Sequence, residues 1–104
     1  MYKLCFFVPK SHVESVKLAL FALGAGKIGN YDCCAWQVAG QGQFRALEGS
    51  VPFIGQQGVV ASVDEYRVEM VVNDDIIASV VEALVEVHPY QEPAYEYWLV
   101  NASL

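Results

Sequence analysis

The side chains with the widest chemical range gather in one short stretch, His88-Pro89-Tyr90-Gln91-Glu92-Pro93-Ala94-Tyr95. Two prolines bracket an imidazole, a phenol and a carboxylate, so the backbone is stiff and its polar groups are held in place. His88 and Glu92 form an imidazole–carboxylate pair of the kind divalent metal ions accept. A closed site normally takes four ligands, so His12, Cys33 or groups from another subunit would have to complete it. The plainer role for His88 is to end a helix and interact with its last carbonyls. Because imidazole titrates near neutrality, His88 is also the natural general base, with Tyr90, Lys27 or Glu92 beside it. The sequence nevertheless offers no nucleophile, base and orienting group as a set.

A second stretch, Gly24-Ala25-Gly26-Lys27-Ile28-Gly29-Asn30, resembles a phosphate cradle at first sight. Its position argues otherwise: phosphate loops lead into a helix N-terminus, where the dipole helps, whereas this one follows a helix. A loop that needs positive φ is the bland alternative. Gly26, Lys27 and Asn30, with Tyr90, are the candidate contacts for a small ligand. The three cysteines, Cys5, Cys33 and Cys34, are odd in number. Neighbours in one strand point to opposite faces, so they read as reduced, mostly buried thiols rather than a disulfide framework.

The elements that position these residues repeat at an offset of 64 residues: Tyr2 falls on Tyr66, Val8 on Val72, Val16 on Val80, Leu20 on Leu84, Gly24 on His88 and Tyr31 on Tyr95. One register held through strand, helix, loop and strand marks two copies of a β-α-β unit. Tyr2 to Val8 is an aromatic-rich central strand. Ser11 and Glu14 match a capping box, and Val13, Val16, Leu20 and Leu23 form the apolar stripe of the first helix. Tyr31 to Val38 reads as the second strand, Gly40-Gln41-Gly42 as a hairpin turn and Gln43 to Leu47 as a short returning strand. Phe53-Ile54 is an apolar pair within the Glu48 to Gly58 loop, expected to anchor on the chain's own core. Val59 to Val63 is a further edge strand, ended by Asp64-Glu65, before Tyr66 to Val72 repeats the first strand. Asn73, Asp74 or Asp75 caps the second helix, whose stripe is Ile77, Val80, Val81, Leu84 and Val87. Ala94 to Val100 closes the sheet.

A length of 104 residues suits one domain, residues 1–104. The chain is 55% hydrophobic and only 17% charged, where about 25% charged is usual, so some apolar surface is expected to meet another chain. Its net charge of −6 opposes nucleic-acid backbones. No apolar run is long enough to span a bilayer, and Met1-Tyr2-Lys3-Leu4 enters a strand pattern at once, so a cytoplasmic location is expected, with no membrane partner.

Two right-handed strand-helix-strand halves close into an α+β fold, the ferredoxin-like split β-α-β sandwich, with strand order 4-1-3-2, both helices on one face and an extra hairpin. The glycine loop and the His88 loop then lie at opposite ends of the sheet and can meet only between molecules. Three segments in order, GAGKIGNYDCCAW, GQFRALEGSVPFIG and HPYQEPAYEYW, resemble the inserted domain of the NGG-interacting-factor (NIF-three-like) family of dinuclear-metal proteins. Those inserts are similar to CutA and PII-like proteins, which implies a β-α-β-β-α-β core and a homo-oligomer, most often a trimer. None of the family's metal-ligand motifs can be placed on this sequence, so the resemblance carries no dinuclear site across. It implies an oligomeric, non-catalytic binding or regulatory module that takes a small ligand or a divalent metal at subunit clefts. The alternatives are a hydrolase-type enzyme at a subunit boundary and a structural interaction domain using the aromatic edge Tyr95, Tyr97 and Trp98.

Overall fold

A computed structural model describes residues 1–102. Its elements run β1 (Tyr2–Pro9), α1 (Val13–Ala22), β2 (Trp36–Arg45), β3 (Val60–Val72), α2 (Ile77–Val87) and β4 (Tyr95–Leu99). The four strands form one antiparallel sheet in the order β2-β3-β1-β4, the split β-α-β arrangement expected from the repeat. β1 and β3 lie side by side at its centre, Tyr2 opposite Val72 and Val8 opposite Tyr66.

Alternation along the strands sorts the sheet into two faces. Leu4, Phe6 and Val8 of β1 and Val68, Met70 and Val72 of β3 pack with Val13, Val16 and Leu20 of α1 and Val80 and Leu84 of α2. Side chains in cross-strand register share a face, so the opposite face carries Trp36, Glu69, Cys5 and Glu96 in one row. Val38, Arg67 and Phe7 form a neighbouring row, and Val71, Lys3 and Trp98 another. No helix lies over these rows. Trp36 is 60% exposed, Trp98 41% and Val38 43%.

The middle of the chain differs from the sequence expectation. Gly40-Gln41-Gly42 does not turn, because β2 runs straight through it, with Gly40 opposite Glu65 and Gly42 opposite Val63. Val59 to Val63 is not a separate strand either, since Asp64 and Glu65 sit inside the 13-residue β3. The expected extra hairpin is one long β2–β3 arm that runs on past the end of β1. Charge and glycine read as turn signals, but in an arm projecting past the helix-covered core a strand can carry them, with Gly42 opposite the buried Val63. The molecule is correspondingly elongated, 46 × 24 × 23 Å.

Local details also differ. β2 begins at Trp36 rather than Tyr31, because Gly29 and Asn30 make a tight turn in which Ile28 and Tyr31 exchange backbone hydrogen bonds of 2.8 and 2.9 Å. Cys33 then sits exposed at a bend with φ of 54°, Cys34 is half-buried, and Cys5 alone is fully buried. The two adjacent thiols therefore do not straddle a strand. Ser11 does not cap α1. Its hydroxyl pairs with the His12 ring, and the N-cap position belongs to His12 with no side-chain cap. Nor do Asn73, Asp74 or Asp75 cap α2, which starts after Ile76; the Asn73 carbonyl accepts from the Ile76 N–H, and Asp74 pairs with the chain's amino terminus. Leu23 and Val87 lie at the ends of their stripes and stay exposed. Among the described residues no helix is long and apolar enough to cross a membrane.

Candidate functional site

The two corners predicted from the repeat lie at opposite ends of the sheet, and they bond to it differently. At the first, the Gly26 N–H donates to the Val71 carbonyl of β3 at 2.8 Å. Adding 64 to Gly26 gives Tyr90, and subtracting 64 from Val71 gives Phe7 of β1. The equivalent bond at the second corner would run from the Tyr90 N–H to the Phe7 carbonyl. Instead, an imidazole is inserted between them. Tyr90 N–H donates to His88 Nδ1 at 3.1 Å, and His88 Nε2 lies 2.7 Å from the Phe7 oxygen. A carbonyl oxygen can only accept, so Nε2 carries the proton and Nδ1 the lone pair: the ring is neutral and both nitrogens are satisfied.

His88 is 6% exposed, and burial pushes its pKa below the ordinary histidine value, against the opposing pull of the Phe7 carbonyl and the Glu65 charge. It does not bind the last carbonyls of its own helix, the plainer role read from the sequence. As a spacer it holds Tyr90 one ring's width off the sheet. The Tyr90 ring packs against His88 with centroids 4.9 Å apart, and its hydroxyl donates to Glu65 Oε2 at 2.8 Å. Burial and the Glu65 carboxylate both raise the Tyr90 pKa, so the phenol stays protonated. Gly42 makes room for this contact, because a Cβ there would run into the Glu65 carboxylate. Glu65 and Gly42 both belong to the arm, so Tyr90 fastens the arm to the His88 corner.

Above Tyr90 lies an open cleft of about 540 Å³ between the arm, the loop after β2 and the His88 loop. Phe44 and Phe53 flank Tyr90, each with its ring centroid 6.3 Å away. Phe53 does not enter the core; it is 52% exposed and rests edge-on against His12, centroids 5.5 Å apart. His12 is thus a packing surface rather than a free, solvated ring. The Val51 N–H donates to Gln91 Oε1 at 2.9 Å and ties the loop down. Arg45, Glu48 and Glu92 lie on the rim.

The other predicted contacts fall elsewhere. Gly26 has its N–H on Val71 and its carbonyl on Cys34, and at φ of 74° a Cβ would stand 2.6 Å from the Cys34 oxygen, so its role is close packing. Lys27 and Asn30 line a shallow hollow at that same end, with Tyr90 at the far one. Glu92 is exposed in the cleft rim while His88 is buried behind Tyr90. Among the described residues no three His, Cys, Asp or Glu side chains gather as a metal-holding group. Sequence reasoning missed Phe44, Glu65 and Gly42, because the arm that aligns them was read as a turn and a break.

The fold defined by this sheet and helix pair is that of the CutA proteins. CutA1 from Pyrococcus horikoshii superposes with a TM-score of 0.71 over 100% of this chain and 87% of that one, at 17% identity. A solved Bacillus cereus protein related to NIF3 is more similar, with 36% identity and a TM-score of 0.82 over 97% of this chain but 26% of its own. A curated relative from Halalkalibacterium halodurans, a GTP cyclohydrolase 1 type 2 homolog, is 45% identical over 102 residues, 97% of this chain and 27% of the relative. The chain is therefore homologous to one segment of these proteins and spans about a quarter of the length of the curated relatives it matches. No model of a protein family matches it.

Proposed function

We propose that this chain is a non-catalytic, self-associating binding or regulatory module of the CutA/PII type, equivalent to the segment it matches in the longer NIF3-related proteins. The observation that carries the reading is the uncovered sheet face. Trp36 on one edge strand and Trp98 on the other stand exposed on a surface whose opposite side holds the entire core cluster. Between them Arg67 lies near Glu69, with Lys3 and Glu96 in the adjoining registers, so both charge signs are available for copies to match. Exposed aromatic residues and arginine among matched charges suit association of identical chains, and a trimer is the arrangement proposed.

The non-catalytic part rests on His88. With one nitrogen on Phe7 and the other on Tyr90, neither a substrate proton nor a metal ion reaches it without breaking the corner. Sedimentation analysis tests the reading: the chain should sediment as a trimer at micromolar concentration, and Trp98→Glu should give a monomer with unchanged helix content. A wild-type monomer across that range would refute it.

A further inference from the structure

The cleft over Tyr90 is lined by residues of a single chain, and we propose that it is a binding site for a small aromatic ligand carrying a protonated amine. Size comes first. At about 540 Å³ it lies within the roughly 300–1,000 Å³ typical of small-molecule sites, and well above one buried ring. Its floor and walls supply the apolar contact: Tyr90 below, with Phe44 and Phe53 each in tilted contact with it at a centroid distance of 6.3 Å, so that three aromatic rings line one open cleft. A planar ring entering the cleft would stack on aromatic surface that now meets solvent, most of it on Phe53, which is 52% exposed.

The rim decides the charge of the ligand. It carries two carboxylates, Glu48 and Glu92, against one guanidinium, Arg45, in a chain of net charge −6. An anionic ligand would meet repulsion at the mouth and in the approach, while an ammonium group gains both the rim and the faces of three electron-rich rings. The walls are also prepared for binding. Tyr90 is pinned by Glu65 and His88, and the loop bearing Phe53 is tied through Val51 to Gln91 and through the Phe53 ring to His12. Little side-chain freedom is left to lose on binding.

The test uses tryptamine and indole-3-acetate as a matched pair, one ammonium and one carboxylate on the same ring, titrated into the full chain and followed by NMR. Tryptamine should shift the aromatic signals of Phe44, Phe53 and Tyr90, and indole-3-acetate should bind at least about tenfold more weakly. Phe53→Leu should weaken tryptamine about fivefold to tenfold, and Glu92→Gln, which leaves every ring contact in place, about threefold. Equal binding of the two probes, no binding of either, or shifts confined to the Gly29 end of the molecule would overturn the proposal. Since monomeric Trp98→Glu keeps the cleft, its unchanged affinity separates this inference from the fate of the self-association reading.

Discussion

Replacing His88 removes two hydrogen bonds at once, and the structure says what that costs. In His88→Phe the ring volume is kept, but the Phe7 carbonyl loses its donor and the Tyr90 N–H its acceptor. Each lost bond is worth about 1–1.5 kcal/mol, and groups left unsatisfied at a 6% exposed site raise the total to about 3 kcal/mol. His88→Ala adds a cavity and should cost about 1 kcal/mol more. For a chain of this length, 3 kcal/mol lowers Tm by roughly 12–24 °C. Urea unfolding at fixed protein concentration measures it, since self-association would make stability concentration-dependent. The pH dependence gives a second reading. Burial holds the folded imidazole below the ordinary 6.5, so between the folded and unfolded values the unfolded chain binds the extra proton. Stability is fully present above about pH 6.5 and falls as the pH drops through that window toward the folded value. His88→Phe should lose this slope between pH 7 and 5. A loss under about 1 kcal/mol in His88→Phe, or an unchanged slope, would show that the imidazole does not bridge Tyr90 to β1.

Three further outcomes concern the Tyr90–Glu65 contact, the glycines of the first corner and the cysteines. Tyr90→Phe and Gly42→Ala should each cost about 1–1.5 kcal/mol, and the double variant no more than the larger single, because both break the Tyr90–Glu65 bond; additive losses in a double-mutant cycle would show the two are unconnected. Gly26→Ala, at φ of 74° and against the Cys34 backbone, should destabilise by about 2–4 kcal/mol, whereas Gly29→Ala, with nothing within 4 Å, should cost about 1 kcal/mol from its φ of 56° alone; thermal melts distinguish them. In the native protein iodoacetamide should modify Cys33 and leave Cys5 untouched, as read by mass spectrometry of peptides. Desolvation and then the charge of Asp32 raise the Cys33 thiol pKa, so Asp32→Asn should speed its reaction.

Much of the fold was legible because the two halves bury similar stripes. Val16, Leu20, Val80 and Leu84, repeated at one offset, define both helix faces, and the side-by-side placement of Tyr2 to Val8 and Tyr66 to Val72 at the centre of the sheet follows from the twofold relation. The arm was not legible. Periodicity reports burial beneath the helices, and the β2–β3 arm runs past β1 to pack instead on the loop after β2 and on Tyr90, so Gly40, Gly42, Asp64 and Glu65 carry no strand signal. The cleft shared that fate, since Phe44 reaches Tyr90 only because the arm is straight. The role of His88 was half visible: the offset set Gly24 against His88, marking the place where the second copy departs from the first. That the ring would span from Tyr90 to Phe7 depends on a distance across the fold, which no local pattern contains.

Both tryptophans of the chain, Trp36 and Trp98, lie on the uncovered sheet face, so their emission reports that surface and nothing else. If identical chains meet there, emission at micromolar concentration is blue-shifted and protected from acrylamide, and dilution or Trp98→Glu moves the remaining signal to the red. Emission that is red-shifted, readily quenched and independent of concentration would leave the face open to water and contradict the account.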